Sequence, residues 1–152
     1  MRREQFEHVI AAAAEVTGTD EFVVIGSQAI LGPHPDAPAS LLRSIEADIY
    51  PVDDPRRADL IDGALGDGSR FQRAYGYYAH GVGAETAKPP AGWRARLVRI
   101  DIQPRVGSPR RPVACASSRT TSFSPSAWPA EVATGISRAT RSRPGSSGST
   151  RC

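Results

Sequence analysis

The strongest constraint on this 152-residue chain is the point at which its apolar patterning stops. Up to about residue 104, stretches with a 3.6-residue apolar period alternate with short β-like runs; beyond it neither continues. An element forms where a periodic apolar face can be buried. The folded part is therefore expected within residues 1–104, and the whole length of 152 residues suits one ordinary domain rather than two. Charge divides at the same place. Residues 1–104 hold 11 Lys+Arg against 15 Asp+Glu, a net of −4, whereas residues 105–152 hold 8 Arg against one Glu, a net of +7. Of those last 48 residues 16 are Ser or Thr, and "RSRPGSSGSTRC" is low in complexity. Such a stretch buries too little apolar surface to offset a backbone ordering cost of about 1–2 kcal/mol per residue. Residues 105–152 are accordingly expected to form a disordered Arg/Ser/Pro-rich tail.

Within the first part, Phe6, Val9, Ile10 and Ala13 follow the i, i+3, i+4, i+7 rule and Gly18 stands as a stop, which predicts a helix over residues 2–16. "EFVVIG" reads as a short buried strand ending at a glycine, and "SQAIL" as one or two helical turns directly after it. The prolines of "GPHPDAP" mark a loop, Leu41 and Leu42 a small apolar turn, and Ala47 to Tyr50 a second strand. Asp54 and Pro55 are an N-cap and first-turn pair for a helix of about ten residues whose apolar stripe is Leu60, Ile61 and Leu65. "GDGSRFQRAYGYYAHGVGAETAKPPAGWRAR" reads as part strand and part loop. "LVRIDIQP" alternates, with Val98, Ile100 and Ile102 on one face and Arg99, Asp101 and Gln103 on the other. The order predicts an α+β or α/β sheet domain.

Several classes are disfavoured by what is missing. No apolar run approaches the ~18 residues of a membrane span, and acidic residues interrupt the N-terminal stretch where a signal peptide needs apolar ones. A cytoplasmic protein with no membrane partner is expected. Cys115 and Cys152 have no nearby Cys or His at zinc-ligand spacing. One Lys accompanies 18 Arg, the composition of a GC-rich, bacterial gene.

Three features carry candidate chemistry. Gly26 and Ser27 stand between a strand and a helix start, where backbone N–H groups can meet a phosphate and glycine allows its close approach; an ordinary tight turn uses the same residues. Glu46 and Asp48 lie two apart in a strand, so both carboxylates share a face and can converge on a hard cation such as Mg2+; a solvated strand face looks the same. Asp101 offers a third carboxylate on a later strand, as a two-metal site would want, or is a surface aspartate between Arg99 and Gln103. His8, His34 and His80 share no spacing and read as surface residues. Tyr75, Tyr77 and Tyr78 could stack a base or pack a sheet.

The combination resembles the signature of the DNA polymerase β-like nucleotidyltransferases: a strand ending in glycine and serine, a spacer, then acidic-x-acidic followed by an apolar residue. "FVVIGSQAILG", "LLRSIEADIYP", "DLIDGALGDGSRF" and "GYYAHGVGAETAKPPAGWRARLV" are similar to a bacterial family of small nucleotidyltransferases related to the toxin halves of AbiE-type toxin–antitoxin pairs. The resemblance covers residues 1 to about 100. It implies a nucleotidyltransferase-like mixed sheet flanked by helices, and Mg2+-dependent transfer of a nucleotide from an NTP to a hydroxyl on RNA (tRNA included), protein or a small molecule. Toxin-type relatives also imply a cognate antitoxin. By the same resemblance Gly26 and Ser27 hold the triphosphate, Glu46 and Asp48 are the catalytic metal ligands with Asp101 as a third, and Arg43 and Ser44 contact phosphate. The spacer of eighteen residues between Ser27 and Glu46 exceeds the usual dozen or so.

The tail departs from that family, whose members continue with an L-E-x-H-D-L helix start and a basic G-R-x-x-D segment. Back-translating "ASSRTTSFSPSAWPAEVATGISRAT" with GC-rich codons and reading one base earlier permits L-E-P-H-D-L-V-L-A-Q-C-V-A-G-R-G-R-D-W-D-F-A. A frame slip near Val113 to Cys115 is therefore expected to have replaced the family's C-terminal part. Two other functions compete: a truncated, non-catalytic remnant that binds a partner or nucleotide, and nucleic-acid binding by the +7 tail, with the steep salt dependence of phosphate contacts.

Overall fold

A computed structural model describes residues 1–83 and 93–117. Its elements are α1 (Arg3–Thr17), β1 (Glu21–Ile25), a 3-10 turn (Gly26–Leu31), a second (Ala39–Leu41), β2 (Glu46–Pro51), a third (Pro55–Arg57) running into α2 (Ala58–Leu65), α3 (Arg70–Tyr75), β3 (Tyr78–Gly81), a fourth 3-10 turn (Trp93–Arg96), β4 (Leu97–Asp101) and β5 (Val113–Ser117). The strands form one mixed sheet in the order β3-β2-β1-β5-β4. β1 is antiparallel to β2 and parallel to β5, β2 is parallel to β3, and β4 is antiparallel to β5. The protein is thus α+β.

Alternation sorts the sheet into two faces. Phe22 and Val24 of β1, Ala47 and Ile49 of β2, Ala79 of β3, Ile100 of β4 and Ala114 and Ala116 of β5 join Phe6, Val9, Ile10 and Ala13 of α1 and Ile61 and Leu65 of α2 in the main core. Val23, Tyr50, Val113 and Cys115 point to the other side, where they cluster with Val82 and Trp93. α1 ends as its sequence dictates, with Gly18 at φ 70° and its N–H donating to the Ala14 carbonyl; glycine enters this left-handed conformation without a Cβ penalty. α2 packs closely on β3: a Cβ at Gly81 would lie 2.1 Å from the Ala58 carbonyl oxygen, and the Gly81 N–H donates to Asp62 Oδ1 at 2.8 Å.

Three expectations need correction. The boundary at residue 104 is wrong, because β5 lies beyond it and occupies an interior place in the sheet, bonded to β1 on one side and β4 on the other. Its residues Val113 to Ala116 are buried on both faces, so they form a short continuous apolar run rather than an alternating one. The expected disorder of residues 118–152 lies outside the described residues, as do residues 84–92 of the family-like stretch. The stretch read as strand and loop before residue 78 contains α3, whose Ser69 cap accepts from the Gln72 N–H at 3.1 Å. In α2, Leu60 is 50% exposed, and the buried stripe is instead Ala58, Ile61 and Leu65. Tyr75 and Tyr77 pack with His8 and Phe71, with ring centroids 4.6 to 6.1 Å apart, on the helical side of the sheet. No helix among the described residues is long and apolar enough to cross a membrane.

Candidate metal centre

Glu46 and Asp48 open β2 on the face turned away from α1 and α2. Their position follows from register: Asp48 pairs with Ile25 at the end of β1 and with His80 of β3, and Glu46 pairs with Tyr78. Burial of Ala47 and Ile49 in the main core forces the alternate residues, the two carboxylates, onto the opposite side. There they are joined by the His80 imidazole, whose Nδ1 lies 3.1 Å from Asp48 Oδ1 and 3.6 Å from Glu46 Oε1. One ligand atom from each of the three falls within 4.8 Å of the others. The side chains are 31% (Asp48), 37% (Glu46) and 49% (His80) exposed, so the cluster is open to solvent while its backbone is held in the sheet.

The turn after β1 completes the surroundings. Gly26 has φ 69°, and a Cβ built on it would lie 2.5 Å from Asp48 Oδ2. Any side chain here would meet the carboxylate and also a backbone conformation that L-residues resist. Gly26 and Ser27 are both exposed, so this junction and the carboxylates open on the same solvent region. Ser44 is placed differently from expectation. Its Oγ accepts from the Glu46 N–H at 3.1 Å and donates to the Glu46 carbonyl at 3.1 Å, so the hydroxyl fixes the entry to β2 rather than standing free for phosphate. The Ser44 carbonyl accepts from the Met1 ammonium and from Gln28 Nε2, the latter at 3.2 Å from a side chain only 1% exposed. Arg43 is exposed in the segment leading to β2.

Asp101 does not belong to the cluster. The register from Ile49 through Val24 and Ala116 to Val98 puts Asp48 one residue to one side and Asp101 three to the other. That offset of four residues is roughly 13 Å along the strands, and three strand spacings add roughly 14 Å across them. Asp101 is instead 78% exposed and paired with Arg99 Nε at 2.9 Å. The place expected for a third carboxylate is taken by His80, which no sequence spacing had singled out.

Tyr78, two residues before His80, is on the same face. Burial first, and then the Glu46 carboxylate, hold its hydroxyl above the ordinary tyrosine range. The donor set of two carboxylates and one imidazole can hold a divalent cation: its separations of 3.1 and 3.6 Å are near the ~3.0 Å between adjacent ligands of an octahedral ion with ~2.1 Å bonds. No protein-family model, curated protein or solved structure matches the chain.

Proposed function

We propose that this protein is a nucleotidyltransferase that moves a nucleotide from an NTP to an acceptor hydroxyl with the help of a divalent cation at Glu46 and Asp48. The observation that carries the reading is the Gly26–Asp48 approach, which sets an exposed glycine-serine turn directly against one of the two strand-borne carboxylates. In this reading Glu46 and Asp48 hold the cation, and the turn at Gly26 and Ser27 receives the triphosphate. Arg43 adds charge for the same phosphates, and Ser44 positions Glu46 through its backbone. A bound Mg2+ would stabilise charge on the α-phosphate and ease deprotonation of the acceptor hydroxyl. The exposed cluster leaves room for a bulky acceptor such as RNA or a protein, the acceptors used in a toxin-type role.

Incorporation of labelled NTP into a panel of RNAs and proteins tests the reading. Wild-type protein should label an acceptor only with a divalent cation present, and Asp48→Ala should abolish the labelling. Nucleotide binding with equal absence of transfer in both proteins would favour the truncated, non-catalytic alternative. The frame slip is tested separately by resequencing the gene and its transcript across Val113 to Cys115; one intact frame, well supported in the transcript, overturns it.

A further inference from the structure

The cation site just described was expected from Glu46, Asp48 and Asp101; in the structure the third member of the cluster is His80 of β3. His80 stands in register with Asp48 on the neighbouring parallel strand, and its Nδ1 is turned toward both carboxylates. Two features fix that geometry from below. Gly81 is held against α2 by its close approach to Ala58 and its hydrogen bond to Asp62, which sets the height of β3 at the adjacent residue. Ala79, fully buried on the opposite face, fixes which way His80 points.

We propose that His80 is a ligand of the cation held by Glu46 and Asp48, and that it biases the site toward later first-row ions such as Co2+ over Mg2+. The inference rests on the reading of Glu46 and Asp48 as a cation site and adds its metal preference. Mg2+ is a hard ion that favours carboxylate, carbonyl and water oxygens, whereas an imidazole nitrogen raises affinity for later first-row ions. Two carboxylates of β2 supply the charge, and the single nitrogen of β3 supplies the discrimination. One cation can bridge all three donors with side-chain adjustments only, since their backbones already lie in adjacent paired strands.

The competing account is that His80 is merely an ion-pair partner of the carboxylates, and the two accounts differ in sign. If His80 is only a positive neighbour, removing it frees both carboxylates and strengthens cation binding. If it is a ligand, removing it weakens the binding of Co2+ far more than that of Mg2+. Calorimetric titration of the full chain with Co2+, Mn2+ and Mg2+ chlorides, without nucleotide, distinguishes them. His80→Ala and His80→Gln should each lose at least about tenfold in Co2+ affinity, the scale of effects seen when a metal's supporting groups are removed. Mg2+ affinity should change much less. The fold of each variant is checked by circular dichroism, and Asp48→Asn should weaken all three ions. Unchanged or tighter Co2+ binding in both His80 variants overturns the proposal while leaving the carboxylate site standing. No binding of any ion by the wild-type protein overturns both.

Discussion

Gly26 and Asp48 are fitted to each other: the space a Cβ would fill at Gly26 is the space used by the Asp48 carboxylate, 2.5 Å from that missing atom. The glycine is required twice, by its positive φ and by its neighbour. Because the obstructing atom is the end of a side chain, a substitution can be absorbed by turning Asp48 away rather than by breaking the sheet.

Gly26→Ala is therefore expected to fold, with a stability loss of about 1–2 kcal/mol for the left-handed backbone, and to lose most cation binding. Thermal melting and calorimetry on the same sample check both halves. A variant that binds Co2+ and Mg2+ like wild type would show that the Asp48 rotamer is immaterial to the site.

Ser44→Ala removes two hydrogen bonds to the backbone of Glu46 without touching its carboxylate. Each such bond is worth about 1 kcal/mol net. A comparable loss of stability is expected, together with weaker cation binding as the start of β2 loosens; hydrogen exchange should rise at Glu46 before it does at Ile49.

His8 supplies a pH dependence. Burial first, and then the nearby Arg105, lower its pKa from the usual 6.5, and its Nδ1 shares a 2.7 Å hydrogen bond with the Tyr77 hydroxyl. The unfolded chain then binds more protons than the native one between the lowered value and 6.5, so stability rises with pH across that window. The contribution is complete above 6.5 and is lost as the pH falls through the folded value. Melting temperature followed from pH 7.5 downward should fall more steeply for the wild type than for His8→Phe; parallel curves would assign the acid sensitivity elsewhere.

β5 makes residues beyond 104 part of the fold. A chain stopped at residue 104 leaves β1 without its parallel partner and β4 without any strand to pair with. It is expected to lose cooperative unfolding and dispersed amide NMR signals that the full chain retains. A well-dispersed spectrum from the short chain would contradict the interior role of β5.

What the sequence made legible was the part written in period. Phe6, Val9, Ile10 and Ala13 announced α1, and the alternation of Glu46 and Asp48 with the buried Ala47 and Ile49 announced β2 and its polar face. β5 escaped because a strand buried on both faces does not alternate, and Val113 to Ala116 are few and mostly small. α3 escaped because six residues with Phe71 and Tyr75 as their apolar pair make too short a stripe to stand out. The site divided the same way. Glu46 and Asp48 are joined by spacing along one strand and could be read directly. His80 reaches them only through pairing of strands 32 residues apart, and Asp101 is excluded by that same pairing. Neither relation exists in the sequence until a register is chosen.

The interior position of β5 also sets the order in which the molecule can be made. Glu21 of β1 waits for Val113, and the parallel ladder between them closes a loop of more than ninety residues. Contacts this distant repay their closure entropy late, which slows folding. On a ribosome, β1 and β2 emerge early and can pair, but β4 has no seat until the strand made after it arrives and slides between it and β1. For that interval the growing chain carries an open sheet edge on β1, an invitation to pair with the wrong strand.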